Sequence, residues 1–333
     1  GSETNFFGMP DVEKNAYTMK TLNDAVVLRN RAIDMLEQAD NETNPILRKS
    51  LLNFVVVGGG FAGIETAGEL LDLLLDARKH YKTIRKEDIR VVVLEALPRI
   101  LPGFNDGLAE FARKKMTERG IDIRLETAVT SFDGIEVSTK SLKDSDTQEN
   151  GAIRTKTLVW TAGVTPVNTI KRSVFNTERG KIIVNDFLEV PEFPGVFAVE
   201  DCMLFADPQT GRPYAPTAQI AEAQAKTAAG NLAALIRNTS MKKFEYHPKG
   251  QMAIIGKRTG IATFLGMNIS GFTAWLIWRN VYLSKIPTLD KKVRVLLDWT
   301  IDLFFDRDVS RLKLMKREPD REYKDLDEVD DVW

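Results

Sequence analysis

Cysteine is almost absent from the 333 residues: Cys202 stands alone, which leaves no disulfide framework, thiolate metal cluster or dithiol redox pair within this chain. Histidine is nearly as scarce. His80 and His247 lie far apart with no cysteine beside them, so zinc-ligand spacing is missing and both read as surface or loop residues. Neither sign of charge dominates, because 46 Lys and Arg meet 47 Asp and Glu for a formal net charge of -1. A nucleic-acid partner, which needs a basic field, is therefore not expected. The opening Gly1-Ser-Glu-Thr-Asn5 lacks the basic and apolar blocks of a signal peptide. Long apolar runs are also missing, with one partial exception. Thr259 to Trp278 carries no charge and has about the roughly 20 residues that span a bilayer. Gly260, Gly266, Asn268, Ser270 and Gly271 interrupt it, so the expectation is a strand over Ile261 to Leu265, a turn at Asn268 to Gly271, and an interfacial helix from about Phe272.

What is present is a strong local pattern. Asn53-Phe-Val-Val-Val-Gly58-Gly-Gly60-Phe-Ala-Gly63 reads as a buried strand that turns through G-x-G-x-x-G into a helix. Gly58 suits the tight turn, Gly60 lets the backbone approach a pyrophosphate, and Gly63 lets the helix pack close to its strand; free N–H groups at the helix start then face the phosphates. Phe54 to Val57 is unbroken and mostly β-branched, as a strand covered on both faces should be. Ile64, Ala67, Leu71, Leu74, Leu75 and Ala77 recur near helical spacing. A second strand, Ile89 to Leu94, ends in Glu95, the acid expected to bond an adenine ribose and to disfavour a 2′-phosphate. The charged stretch Arg78 to Asp88 accounts for the long gap from turn to acid as a lengthened helix plus loop.

Other elements follow from periodicity and breakers. A helix is expected over Leu22 to about Gln38, another over Asp106 to Arg119 stopped by Gly120, then a strand Ile121 to Leu125. Lys140 to Gly151 reads as a hairpin tip between strands Gly134 to Val137 and Ile153 to Trp160. A short strand Gly195 to Val199 leads into Glu200-Asp201, and an alanine-rich helix runs over Thr217 to about Ile236. Strands are expected at Met252 to Ile255 and Ile261 to Leu265, followed by two helices rich in Trp, Leu and basic residues. No solenoid-type repeat is present.

Together the landmarks Thr4-Asn-Phe-Phe-Gly8, Gly58 to Glu65, Glu95-Ala-Leu-Pro-Arg99, Val159-Trp-Thr-Ala-Gly163, Val196 to Asp201, Ala218-Gln-Ile-Ala221 and Trp275-Leu-Ile-Trp-Arg279 resemble the type II NADH dehydrogenases, single-subunit flavoprotein NADH:quinone oxidoreductases. The resemblance covers essentially the whole chain. It implies an α/β fold of two dinucleotide-binding, Rossmann-like units with a C-terminal α+β membrane-association module. The implied boundaries are 1–48 for part of the FAD domain and a linker helix, 49–163 for the NADH domain, 164–240 for the other half of the FAD domain with the quinone-site motif, and 241–333 for a membrane-binding or dimerisation module with an acidic tail, Glu318 to Asp331. The family's first strand and glycine turn, for the FAD adenylate, would precede residue 1, which implies a fragment of a longer enzyme.

The same resemblance distributes roles. Gly58, Gly60, Gly63 and Glu95 would hold NADH; Thr161, Ala162 and Gly163 would form the crossing near the flavin; Asp201, Ala218 and Gln219 would contact FAD; Gln219, Ala221 and Gln224 would face quinone. From its own place just inside the first helix after the glycine turn, Glu65 is the catalytic candidate, positioning nicotinamide or relaying a proton toward quinone, with simple helix-start electrostatics as the alternative. The sequence departs from the family pattern at Glu200, where glycine is usual, and at Ala223, where Gln or Glu is usual. No metal is expected. The implied function is respiratory, non-proton-pumping transfer from NADH through FAD to a membrane quinone, in a homodimer peripheral to the cytoplasmic face of a prokaryotic membrane or to an organellar inner membrane. Competing readings are a non-enzymatic NAD-binding interaction protein and a sulfide:quinone-type reductase, the latter needing paired cysteines.

Overall fold

Three β-branched or apolar runs that no surface strand could tolerate find cover on both faces of one parallel sheet. A computed structural model describes residues 1–143, 150–207, 211, 213–248, 250–264, 266–305 and 309–312. Its sheet runs Tyr17–Thr18, Thr157–Trp160, Asn53–Val57, Arg90–Leu94, Ile121–Arg124, every pair parallel. Alternation along the central strand divides the burial: Phe54 and Val56 join the helices Leu22–Asn41 and Phe61–Ala77 in one core, whereas Val55 and Val57 join a second. An antiparallel sheet of Thr127–Phe132, Glu136–Ser141 and Asn150–Arg154 supplies Val129, Phe132, Val137 and Ile153 to that second core.

The single strand expected over Ile153 to Trp160 is therefore two strands in different sheets. A side-chain corner separates them: the Thr155 hydroxyl accepts from Thr157 N–H at 2.9 Å and donates to the Asn53 carbonyl, while Asn53 Nδ2 donates to Arg154 O at 2.8 Å. The helix after the glycine turn ends at Ala77, and the charged stretch beyond it forms two 3-10 turns, Arg78–His80 and Lys86–Asp88, rather than more helix. Of the hairpin tip expected over Lys140 to Gly151, positions 144–149 lie outside the described residues, as does the acidic tail.

A third core, with Ile182, Leu188, Val190, Phe205 and Phe244, gathers under the helix Ala218–Ile236. It is joined to the chain start by Ser2–Thr4 pairing antiparallel with Val164–Pro166. The expected strand Gly195 to Val199 does not form. Gly195 at φ 84 and the bond from Val196 N–H to Phe193 O make a turn there, leaving one bridge, Glu189 to Phe197. Asp201 accordingly sits in the 3-10 turn Glu200–Cys202 and not at a strand tip.

The C-terminal sheet is Gly250–Gly256, Thr259–Phe264, Met267–Gly271, all antiparallel. Its third strand replaces the turn expected at Asn268 to Gly271, because the chain reverses one step earlier, with Gly266 at φ 77 and Phe264 opposite Met267. The helices Phe272–Lys285 and Leu289–Ile301 follow. Ala253, Ile255 and Ile261 of this sheet belong to the first core, so the module rests on the helix Phe61–Ala77. Among the described residues no helix is long and apolar enough to cross a membrane.

Candidate functional site

The three motif glycines are held to different demands. Gly58 takes φ 109 and lies so close to Thr161 that an added Cβ would stand 2.8 Å from Oγ1. At Gly63 a Cβ would stand 1.8 Å from the Gly58 carbonyl oxygen and 2.7 Å from Thr161 Oγ1. At Gly60 it would meet nothing within 4 Å. The first two glycines thus satisfy the protein itself, whereas the third leaves open backbone at the helix start, the approach a pyrophosphate needs. Thr161 locks the crossing to the central strand, its N–H and Oγ1 both donating to Val57 O, at 2.9 and 2.7 Å. Gly163 at φ 76 completes the crossing under the Phe7 ring.

Glu95 is buried, and its carboxylate accepts from Gly59 N–H and from Leu97 N–H at 2.8 Å. The ribose acid of the sequence reading is therefore fixed against the glycine turn, 36 residues earlier. Gly58, Gly60, Gly63, Glu95, Thr161, Ala162 and Gly163 all meet at the C-terminal ends of adjacent parallel strands, where open α/β sheets bind ligands.

Glu65 lies one turn inside the helix and meets the strand Gly250–Gly256 of the C-terminal sheet, accepting from Ile254 N–H at 3.0 Å. Burial pushes its carboxyl above the ordinary 4.5; the Ile254 bond opposes this and Glu69 adds to it. Its charge also adds to burial in raising the Tyr282 phenol. A raised carboxyl pKa means the folded state holds the proton more tightly. Stability from this group is thus complete below about pH 4.5 and declines as pH rises through the folded value. Glu65→Gln keeps an acceptor for Ile254, so its thermal stability should gain on the wild type as pH climbs from 4.5 and then level off. A constant offset across a pH series of melting curves would refute the assignment.

A second cluster surrounds the start of the helix Ala218–Ile236. The cavity there is lined by Lys181, Glu200, Asp201, Thr217, Ala221 and Gln224, among others. Asp201 accepts from the Ser2 hydroxyl, which in turn accepts from Lys20 Nζ at 2.8 Å. Glu200 stands at φ 60, a left-handed conformation that glycine adopts without steric cost, which is a physical reason for glycine at this place. The turn is held by Gln224, buried, whose Oε1 accepts from Glu200 N–H at 2.6 Å. Gln219 is half-buried; its Nε2 donates to Gly250 O at 3.1 Å and its Oε1 accepts from Tyr246 Oη at 3.3 Å. Ala218 is exposed and Ala221 half-buried. Gln219 and Gln224 therefore already have protein partners.

The sequence profile of the pyridine nucleotide-disulphide oxidoreductases matches residues 1–225, and that of the NDH2 C-terminal domain matches residues 248–308. A probable NADH dehydrogenase of Dictyostelium discoideum is 33% identical, over 93% of this chain and 67% of its own length. The chain belongs to the type II NADH dehydrogenase family. The type II NADH:quinone oxidoreductase of Mycobacterium tuberculosis is 31% identical over 92% of this chain and 66% of its own. The external alternative NADH-ubiquinone oxidoreductase of Yarrowia lipolytica is 29% identical, over 93% and 61%. The chain thus spans about 61 to 67% of the length of these relatives. Among solved structures, NDH2 of Plasmodium falciparum in complex with NADH superposes with a TM-score of 0.82 at 20% identity, covering 93% of this chain and 78% of that one. At that identity the likeness establishes the fold, an α/β FAD/NAD-binding architecture with an NDH2 C-terminal module.

The residues that seat the C-terminal module carry no motif in the sequence. Asp72, Arg119 and Gly256 form a lock in which Arg119 pairs with Asp72, Arg119 Nη1 donates to Ile255 O at 2.7 Å, and Lys257 N–H donates to Asp72 Oδ2 at 2.8 Å. The guanidinium occupies the space of a Gly256 side chain, 1.3 Å from where a Cβ would be, with Gly256 at φ 133. Only Gly256 offered a hint, as a glycine ending an apolar strand. His80 and His247 are exposed, and among the described residues no group of three or more His, Cys, Asp or Glu could hold a metal.

Proposed function

We propose that the protein to which this chain belongs oxidises NADH and reduces a membrane quinone through bound FAD. The observation that carries this reading is the pairing of a glycine turn closed by Glu95 with a cavity between the turn at Asp201 and the helix start at Thr217 to Ala221, in a chain of this family. Gly60 leaves the first the space a phosphate approach requires; the second, where Asp201, Thr217 and Ala221 line a cavity, is the flavin's place in this reading. When bound, nicotinamide and flavin supply hydride and electron transfer. The chain's own work is to hold the ribose at Glu95, to place the crossing Thr161 to Gly163 between the two sites, to seat Ala218, Gln219 and Ala221 beside the quinone, and to hold a proton on the Glu65 carboxyl. Gln224 supports the turn at Glu200 rather than touching quinone in this reading.

The test uses the full-length, flavin-containing protein. Wild type should show flavin absorbance and quinone-dependent NADH oxidation. Glu95→Gln should lower the ratio of kcat/KM for NADH over NADPH by about tenfold or more, the scale of one lost hydrogen bond to a charged group. An unchanged ratio would remove Glu95 from the assignment. For Glu65→Gln, an unaltered pH profile of turnover together with an unaltered quinone KM would remove the proton-holding role.

We also propose peripheral association with a membrane through the helices Phe272–Lys285 and Leu289–Ile301. Leu289, Leu296, Leu297, Ile301, Phe304 and Phe305 are exposed, and Lys285, Lys291, Lys292 and Arg294 stand among them, the composition of interfacial helices. Arg279 is sandwiched between Trp275 and Trp299, 4.0 and 5.0 Å from their centroids, and donates to Trp299 O at 3.0 Å, which fastens the two helices to each other. Replacing Leu297 and Phe304 with Glu should abolish co-flotation with anionic liposomes. If flotation persists while a dimer dissociates, the face is a subunit interface.

A further inference from the structure

The segment after Glu95 wraps the dinucleotide turn and is braced from two sides. Leu101, fully buried and held at φ 50, donates its N–H to Gly59 O at 2.7 Å. From within, Arg99 donates to Pro102 O at 2.9 Å and to Phe104 O, and the Phe104 ring packs on Phe61, the first residue of the helix, with centroids 5.3 Å apart. From outside comes a side chain 148 residues later: Gln251 Nε2 donates to Gly103 O. Its Oε1 lies 3.0 Å from the position of a Gly103 Cβ. The residue before it, Gly250, carries the carbonyl to which Gln219 donates. Farther along the same strand Ile254 N–H donates to Glu65. One strand of the C-terminal module therefore touches the helix start of the second cluster, the segment over the glycine turn, and the half-buried Glu65 carboxyl.

Resting on the NADH reading above, we propose that Gln251 is a positioning residue for the adenosine end of the dinucleotide, through which the strand that seats Gln219 sets the affinity for NADH. The physical reason is preorganisation. A segment that flanks a bound ribose contributes affinity only if its conformation is settled before binding. The Arg99 bonds are local to the segment, whereas the Gln251 bond ties it to a strand of another sheet, one packed on the helix Phe61–Ala77. The contact is exposed, so its loss should change the segment's freedom far more than the stability of the fold.

The experiment compares wild type, Gln251→Ala and Gln251→Glu in the full-length, flavin-loaded protein. Glutamate keeps the size and removes the donor, setting a carboxylate against the Gly103 carbonyl. ADP-ribose and NAD⁺ are titrated calorimetrically, and steady-state kinetics are run with NADH and a soluble quinone. Both variants should raise the dissociation constants of ADP-ribose and NAD⁺, and the KM for NADH, by about tenfold, while kcat, the quinone KM and the melting temperature stay close to wild type. Unchanged ADP-ribose affinity in both variants overturns the proposal. A joint fall in kcat, flavin content and melting temperature also overturns it, since Gln251 would then be part of the fold and nothing more. Failure of wild type to bind ADP-ribose would instead sink the NADH site on which the proposal rests.

Discussion

Gly63→Ala should weaken NAD⁺ binding by about a hundredfold or more, ~2.7 kcal/mol, and lower stability by about 1–3 kcal/mol, as overpacking of a close contact does. The reason is a distance. A methyl group at this position stands 1.8 Å from a backbone oxygen of Gly58 and 2.7 Å from Thr161 Oγ1, and neither is the free end of a flexible side chain. The helix Phe61–Ala77 must move away from the strand Asn53–Val57, taking its unpaired N–H groups away from the phosphate position. Gly60→Ala is the matched comparison. Its methyl meets nothing within 4 Å, so folding should be unaffected while binding still falls. Isothermal titration beside thermal unfolding separates the two effects. If both variants bind NAD⁺ as wild type does, the turn does not hold a dinucleotide.

Asp72→Ala should destabilise the protein by about 3 kcal/mol, the lower end of the range for removing one partner of a buried ion pair. Burial raises the Asp72 carboxyl more than the Arg119 charge lowers it, so the pair is not itself a large source of stability. The loss comes from what remains: the Arg119 guanidinium without its counter-ion, and Lys257 N–H without its acceptor. It follows that the double change Asp72→Leu with Arg119→Met should recover much of the deficit, as apolar replacement of a buried pair can. Because the lock joins the helix Phe61–Ala77 to the strand Gly250–Gly256, the single variant should also open the C-terminal sheet to proteolysis ahead of the rest. Uniform protease sensitivity across the chain would show that the lock does not seat the module. Denaturant unfolding of the single and double variants measures the coupling directly.

The glycine-turn half of the candidate site was legible because its information is local. Strand, turn, helix and second strand each announce themselves by apolar runs and glycine, and Gly58, Gly60, Gly63 and Glu95 converge for reasons of βαβ geometry alone. The elements misjudged were those whose state depends on partners elsewhere. Residues after Ile153 divide between two sheets because the Asn53 and Thr155 side chains build a corner. Met267–Gly271 is a strand because Thr259–Phe264 offers it an edge, despite a composition that suits a turn. Glu65 carried a role by its place at the helix start and Gln224 by resemblance, yet their partners are Ile254 N–H and Glu200 N–H, contacts that no window of sequence contains.

By itself, the sequence determined the parallel α/β core, the glycine turn with its acid, and the basic, Trp- and Leu-rich helices at the C-terminal end, while the family was legible only through the resemblance of its landmark motifs. These rest on periodicity, on steric demands met only by glycine, and on charge, all properties of neighbouring residues. Tertiary structure decided what those parts are fastened to. Gln251 reaches Gly103 across 148 positions, Arg119 reaches Ile255 across 136, and Lys257 reaches Asp72 across 185. Such contacts are chosen by how the sheets and helices pack, since a backbone carbonyl or N–H is present at every residue and only the fold determines which one a distant side chain meets.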